Sequence, residues 1–204
     1  PAIKAIASGR GLQLRERCDA AEAHSFQYRV PSTMRLSFLA AALAIGLAVP
    51  AQAGEVFGGV YAHAVDTPFT FDTGEGGADV QIGVRSDPIE ALRVIGRPSA
   101  HVFGSLNSEE GGTDFVAAGL AWKIDAGPVY IRPGVGLALH NAPEIRVDPE
   151  TRIRTDLGSR VLFEPEIAIG TNVSERVSIE GSWVHISNAR LFNREQNPGI
   201  DMMG

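Results

Sequence analysis

Val129-Tyr130-Ile131-Arg132-Pro133-Gly134-Val135-Gly136-Leu137-Ala138-Leu139 alternates residue by residue between two chemistries. Val129, Ile131, Val135, Leu137 and Leu139 take odd positions; Tyr130, Arg132, Gly134, Gly136, Ala138 and then His140 take even ones. Successive side chains of a strand point to opposite faces, so this stretch reads as a strand with one apolar face and one mixed face. Arg160–Ile169 repeats the pattern, with Val161, Phe163, Ile167 and Ile169 on one face and Arg160, Glu164 and Glu166 on the other. Pro133 has no N–H to give a neighbouring strand, so it is expected at an edge or a bulge.

Working outward, further strands are expected at Glu55–Val65, Ala78–Asp87, Pro98–Asn107, Phe115–Asp125 and Arg176–Asn188, with the two above extending over Val129–Ala142 and Arg160–Val173. The breaks between them hold turn formers: Asp72-Thr73-Gly74-Glu75-Gly76-Gly77, Glu109-Glu110-Gly111-Gly112, Asp125-Ala126-Gly127-Pro128 and Asn172-Val173-Ser174-Glu175. Only Ile89–Ile95 carries a weak helical spacing. Soluble strands usually run about 5 or 6 residues, whereas a tilted membrane-spanning strand needs about 9 to 11. Seven long strands with tight connections suggest a barrel or a sandwich, and their length favours a barrel wall.

The amino-terminal part points the same way. Arg35 and the apolar run Leu36–Val49, followed by Pro50-Ala51-Gln52-Ala53, match the charged, hydrophobic and small-x-small regions of a secretory signal beginning at Met34. The apolar run is shorter than the roughly 20 residues that a spanning helix needs. Residues 1–33 differ in composition and are expected to be a non-native or upstream-translated extension. Residues 34–53 are read as the signal peptide and residues 54–204 as the barrel domain. That last part has 12 basic and 21 acidic residues, a net −9.

The whole chain has 204 residues, 44% of them hydrophobic and 21% charged, with a formal net charge of −6. This composition argues against disorder, and its scattered Lys and Arg argue against nucleic-acid binding. Cys18 is the only cysteine, so neither an intrachain disulfide nor a cysteine-based metal site is available.

Chemistry concentrates at the carboxyl end. In Arg176–Asn188 the residues Val177, Ile179, Gly181, Trp183, His185 and Ser187 share one face, and Glu180, Ser182, Val184, Ile186 and Asn188 share the other. If the first face is the apolar outer wall, a His and a Ser near its end are out of place unless they pair. Two residues apart on one face, an imidazole lies within reach of a hydroxyl and can act as base to a serine nucleophile. A carboxylate is then needed to orient the imidazole, and Glu195 and Asp201 are near in sequence. Spacing alone also fits an interfacial His followed by a turn Ser.

The segment His185-Ile186-Ser187-Asn188-Ala189-Arg190-Leu191, followed by Asn197-Pro198-Gly199-Ile200-Asp201, resembles the signature of the lipid A 3-O-deacylase (PagL-type) family. The resemblance implies an all-β, eight-stranded antiparallel transmembrane barrel in the outer membrane, with an outward-facing site and neither metal nor organic cofactor. It also implies removal of the 3-linked acyl chain of lipid A, with His185 as base, Ser187 as nucleophile and Asp201 as orienting acid. Best-known members carry Glu at the place of Asp201, so here the backbone must approach His185 more closely. Glu195 is the fallback acid. Asn188 and Asn197 are candidates for the oxyanion hole, although a strand-end cap and an Asn-Pro-Gly turn explain them equally well. The chain stops at Gly204, where the family continues through its eighth strand, so that strand is expected to be cut short.

The expected partners are lipid A (lipopolysaccharide) and outer-membrane lipid, with no nucleic acid, and a homodimer is one candidate assembly. His63, His101 and His140 lack ligand spacing for a metal. Glu164 and Glu166 are expected to pair with Arg132 or Arg160 in the lumen. Arg146, Arg152 and Arg154 read as a solvated loop. Two other readings remain open at this point: a non-catalytic structural barrel, and a soluble exported lipid-binding β protein.

Overall fold

A computed structural model describes residues 53–148, 152–191 and 197–204. The signal segment, residues 1–33 and Glu195 lie outside these residues, apart from Ala53. The described residues form β1 (Ala53–Ala62), β2 (Ala78–Ser86), β3 (Ser99–Asn107), β4 (Phe115–Ala121), β5 (Ile124–Ala126), β6 (Val129–His140), β7 (Val161–Asn172), β8 (Ser178–Ile186) and β9 (Ile200–Met203). Neighbours pair antiparallel in the order β4-β3-β2-β1-β9-β8-β7-β6-β5, and a β4–β6 ladder closes the sheet. β4 and β5 keep one register on β6, from Phe115↔His140 to Ala126↔Val129. They are two stretches of one stave, so the barrel has eight. Closure gives backbone groups partners that a membrane interior cannot supply.

The expected strands form within a few residues of their expected ends, and Ile89–Ile95 supplies a short 3-10 turn at Glu90–Ile95. β9 forms the eighth stave, four residues long, paired with β8 over Trp183–Ile186 and with β1 at Ala62↔Met203. Pro133 corrects the expectation placed on it, for it sits inside β6 with neighbours on both sides. The ladder absorbs it by an interruption. Trp122 N–H reaches the Pro133 carbonyl at 2.9 Å, but proline has no N–H to return, and the β4–β5 stave breaks at Trp122-Lys123.

The period of two sorts the side chains as the sequence implied. Val56, Val60, Val80, Ile82, Val135, Leu137, Leu139, Ile167, Ile169 and Ile179 are exposed on the outer wall. Tyr130, Arg132, Ala138, Leu162, Glu164 and Ala168 are buried in the lumen. Such a wall suits hydrocarbon rather than water. No helix among the described residues is long and apolar enough to cross a membrane; a barrel crosses with strands.

The lumen is divided. Near the short-turn end, Arg85 pairs with Glu55 at 2.8 Å and Glu180 at 3.3 Å, and Arg132 pairs with the same two carboxylates at 3.1 Å each. Glu164 and Glu166 meet His101 instead of the expected arginines, at 3.3 and 3.7 Å. Register is the reason. Arg132 stands opposite Ala168, toward Glu55 and Glu180, whereas Glu164 stands opposite Gly136, further along the stave. Arg160 is likewise spent elsewhere, on the Ala142 carbonyl and on Glu144. Toward the other end an apolar plug forms from Phe103, Phe115, Leu157, Leu162, Val184, Ile186, Ile200 and Met202.

The connections 63–77, 108–114, 141–160 and 187–199 start and finish at that plugged end, while 87–98 and the tight turns 127–128 and 173–177 lie at the other. A buried polar network ties the longer loops together. His63 is hydrogen-bonded through Nδ1 to Asp79 at 2.9 Å and through Nε2 to Glu75 at 3.0 Å. Glu75 also accepts from Thr113 and pairs with Arg146, so Arg146 is a tie between loops rather than a solvated charge.

Burial alone would push the His63 imidazole down, but hydrogen bonds to Asp79 and Glu75 and their charges outweigh it and raise it to about 9. Burial alone would raise Glu75, but the His63 hydrogen bond and the Arg146 charge hold it at about 2. His63 is raised above its ordinary 6.5, so its contribution is complete below pH 6.5 and is lost as pH rises through about 9. Glu75 is lowered from 4.5, so its contribution is present above that value and is lost as pH falls through about 2. We expect unfolding in urea to show a loss of about 3 kcal/mol between pH 6.5 and 9 that His63→Gln no longer shows. Parallel curves for the two proteins would refute the assignment.

Candidate active site

His185 and Asp201 face each other across the β8–β9 ladder. Ser182 and Gly204 exchange both backbone hydrogen bonds, which fixes the alternation and makes His185↔Asp201 a non-hydrogen-bonded pair. Pairs of that kind bring their side chains closest, with Cα atoms about 4.5 Å apart. A short aspartate therefore reaches the ring, and Nδ1 of His185 lies 2.7 Å from Oδ1 of Asp201. This is the closer backbone approach that an acid one methylene shorter than glutamate requires.

Both residues lie on the outer parity of the wall, as does Ser187, which exchanges backbone hydrogen bonds with Phe163 at 2.7 and 3.0 Å. With Nδ1 committed to Asp201, Nε2 is the nitrogen left for Ser187. The Ser187 hydroxyl makes no hydrogen bond to the ring among the described residues. Although the face is outward, His185 and Ser187 are only 8% and 7% exposed and Asp201 is fully buried. The loop 63–77 lies against Asp201 and the turn before it, pinned by Val65 N–H on the Asp201 carbonyl and by Phe71 N–H on the Pro198 carbonyl, both at 2.9 Å.

The two asparagines separate. Asn188 is on the inner parity, and its side-chain amide donates to the Leu157 carbonyl at 3.0 Å. Its Oδ1 accepts from Arg190 N–H at 2.7 Å, holding the turn in which Ala189 and Arg190 both have positive φ. That is the role of a strand-end cap, and it turns the Asn188 amide away from the Ser187 face. Asn197 accepts the Asn188 backbone N–H through Oδ1 at 2.8 Å, which leaves its amide N–H₂ group directed elsewhere. Glu195 lies outside the described residues.

Three residues of the site were not singled out from the sequence. Trp183 donates Nε1–H to Asp201 Oδ1 at 2.9 Å and stacks on His185, with ring centroids 5.7 Å apart and planes 22° from parallel. Its parity with His185 was visible in the sequence, but its bond to the acid was not. Thr67 donates its hydroxyl to Asp201 Oδ2 from 134 residues away, where no local pattern could have found it. Gly199 has φ +70°, and a Cβ there would stand 2.9 Å from Cε1 of His185. The glycine thus serves both the turn and the space for the ring.

Asp201 therefore accepts three side-chain donors while fully buried, so neither of its oxygens is left without a partner. An imidazole held by such a carboxylate, beside a hydroxyl, is equipped to take a proton from that hydroxyl. Among the described residues no group of three or more His, Cys, Asp or Glu is arranged to hold a metal ion.

No curated protein and no solved structure matches the chain. The family model described as lipid A 3-O-deacylase (PagL) matches residues 66–204, which take in β2 through β9 and every residue of the site. The chain therefore belongs to the lipid A 3-O-deacylase family, whose membership implies an outer-membrane barrel hydrolase acting on lipid A.

Proposed function

We propose that this protein is an outer-membrane serine esterase that removes the 3-O-linked acyl chain of lipid A. The observation that carries the reading is the 2.7 Å His185–Asp201 contact on the outer wall of the barrel, beside Ser187. A site on that wall meets substrate from the lipid side, where an acyl ester in the membrane would lie. It stands at the end carrying the longer loops, which in outer-membrane barrels is the extracellular end. Lipopolysaccharide is reached from there. The Met34–Ala53 signal fits export to that membrane.

In this mechanism His185 Nε2 takes the Ser187 proton as Oγ attacks the ester carbonyl, and Asp201 stabilises the resulting imidazolium. The negative charge passes to the carbonyl oxygen, for which the Asn197 amide is the better placed of the two candidate donors. Collapse breaks the bond to the sugar 3-oxygen, which leaves as its hydroxyl by taking the proton from His185, and an acyl-Ser187 ester remains. Water, deprotonated by the same imidazole, then releases the fatty acid and restores the hydroxyl. Water is the only co-reactant.

The test is mass spectrometry of lipid A from cells carrying the protein in their outer membranes, with wild type beside Ser187→Ala. Loss of one 3-linked acyl chain with wild type alone is the expected result. Unchanged lipid A with both, when the barrels are folded and inserted, would leave a structural barrel without this activity.

A further inference from the structure

The acid of the site is held by more than its imidazole. Asp201 Oδ1 accepts from His185 Nδ1 and from Trp183 Nε1, while Oδ2 accepts from Thr67 Oγ1. Thr67 Oγ1 donates its hydrogen to the carboxylate and also accepts Phe69 N–H at 3.1 Å. Thr67 is itself placed by backbone on either side, through Val65 on the Asp201 carbonyl and Phe71 on the Pro198 carbonyl. Phe69 between them lies 5.9 Å from the Trp183 ring, which in turn stacks on His185. The amino-terminal loop thus grips the carboxyl-terminal acid by a hydroxyl and covers its aromatic neighbour.

We infer that Thr67 and Trp183 are positioning residues, which hold the Asp201 carboxylate in the orientation that presents His185 Nε2 to the nucleophile. An aspartate reaches the ring through only two side-chain torsions, and rotation about the second would take Oδ1 away from Nδ1. The donors on both oxygens oppose that rotation. Neither residue needs to touch substrate, so their effect falls on turnover rather than on binding. The inference rests on the esterase reading above.

The experiment uses purified full-length protein and lipid A in mixed detergent micelles, with kcat and KM measured for wild type, Thr67→Val, Thr67→Ser, Trp183→Phe and Ser187→Ala. Electrophoretic mobility before and after heating reports whether each barrel is folded. A hydrogen bond to a charged group accounts for about a tenfold to hundredfold effect. Thr67→Val and Trp183→Phe are expected to lower kcat by that amount with KM unchanged, and Thr67→Ser to recover most of the loss. Trp183→Phe keeps a ring over His185 and tests the donor even if Thr67→Val does not fold. Wild-type kcat in both Thr67→Val and Trp183→Phe, with Ser187→Ala inactive, would overturn the inference and leave the esterase standing. Equal losses in Thr67→Val and Thr67→Ser, or a rise in KM alone, would also overturn it. Inactive wild type, or activity surviving in Ser187→Ala, would instead remove the esterase reading beneath it.

Discussion

Replacing Ser187 by alanine is expected to lower kcat toward lipid A by about a millionfold, and His185→Ala by a similar amount. The two losses should not multiply. Without the hydroxyl the imidazole has no proton to take, and without the imidazole the hydroxyl is a poor nucleophile, so the double variant should resemble either single one. Asp201→Asn should cost less, about ten-thousandfold, because the ring and the nucleophile remain but the tautomer is no longer imposed. An asparagine that turns its amide nitrogen to Nδ1 offers a donor where the ring needs an acceptor. Its oxygen on the other side would keep the Thr67 hydroxyl satisfied, while the Trp183 N–H would face the same amide nitrogen and lose its acceptor. Single-turnover kinetics on folded protein would measure this order. A loss below tenfold for His185→Ala would refute the assigned base.

Placing an arginine at Val135 should destabilise the barrel in phospholipid vesicles by about 2–4 kcal/mol, whereas Val129→Arg should cost no more than about 1 kcal/mol. Val135 is near the middle of β6, opposite Leu120 on one neighbour and Pro165 on the other, with its side chain 48% exposed on the outer wall. Val129 shares that face but begins the strand beside the tight turn 127–128, where a long cation can extend to headgroups and water. Urea unfolding in vesicles gives both values. Equal effects would mean that this wall does not pass through hydrocarbon.

Local alternation made the strands and their two faces legible because the cause is local. The direction of each side chain in an extended backbone follows from covalent geometry alone, so Val129–Leu139 and Arg176–Asn188 could be divided into faces without knowing any neighbour. His185 and Ser187 were placed together on one face in that way. Asp201 followed from a resemblance confined to about 17 residues, and the ladder then brought it to the ring.

Contacts between staves were not legible, because they depend on register and closure. Glu164 found His101 rather than an arginine because the β6–β7 register sets Arg132 too far along the stave. Pro133 could lie inside the sheet because the neighbouring stave gives way opposite it. Asn188, adjacent to Ser187 in sequence, points inward and caps a turn, since one step along a strand reverses the face.

By itself, then, the sequence determined the all-β class, the apolar and mixed faces of the strands and the shared face of His185 and Ser187, all consequences of a two-residue period that any extended chain obeys. Only the tertiary structure decided which groups hold the acid. Thr67 and Asp201 are 134 residues apart, and they meet because the closed sheet sets β1 beside β9 and lays the following loop over the site.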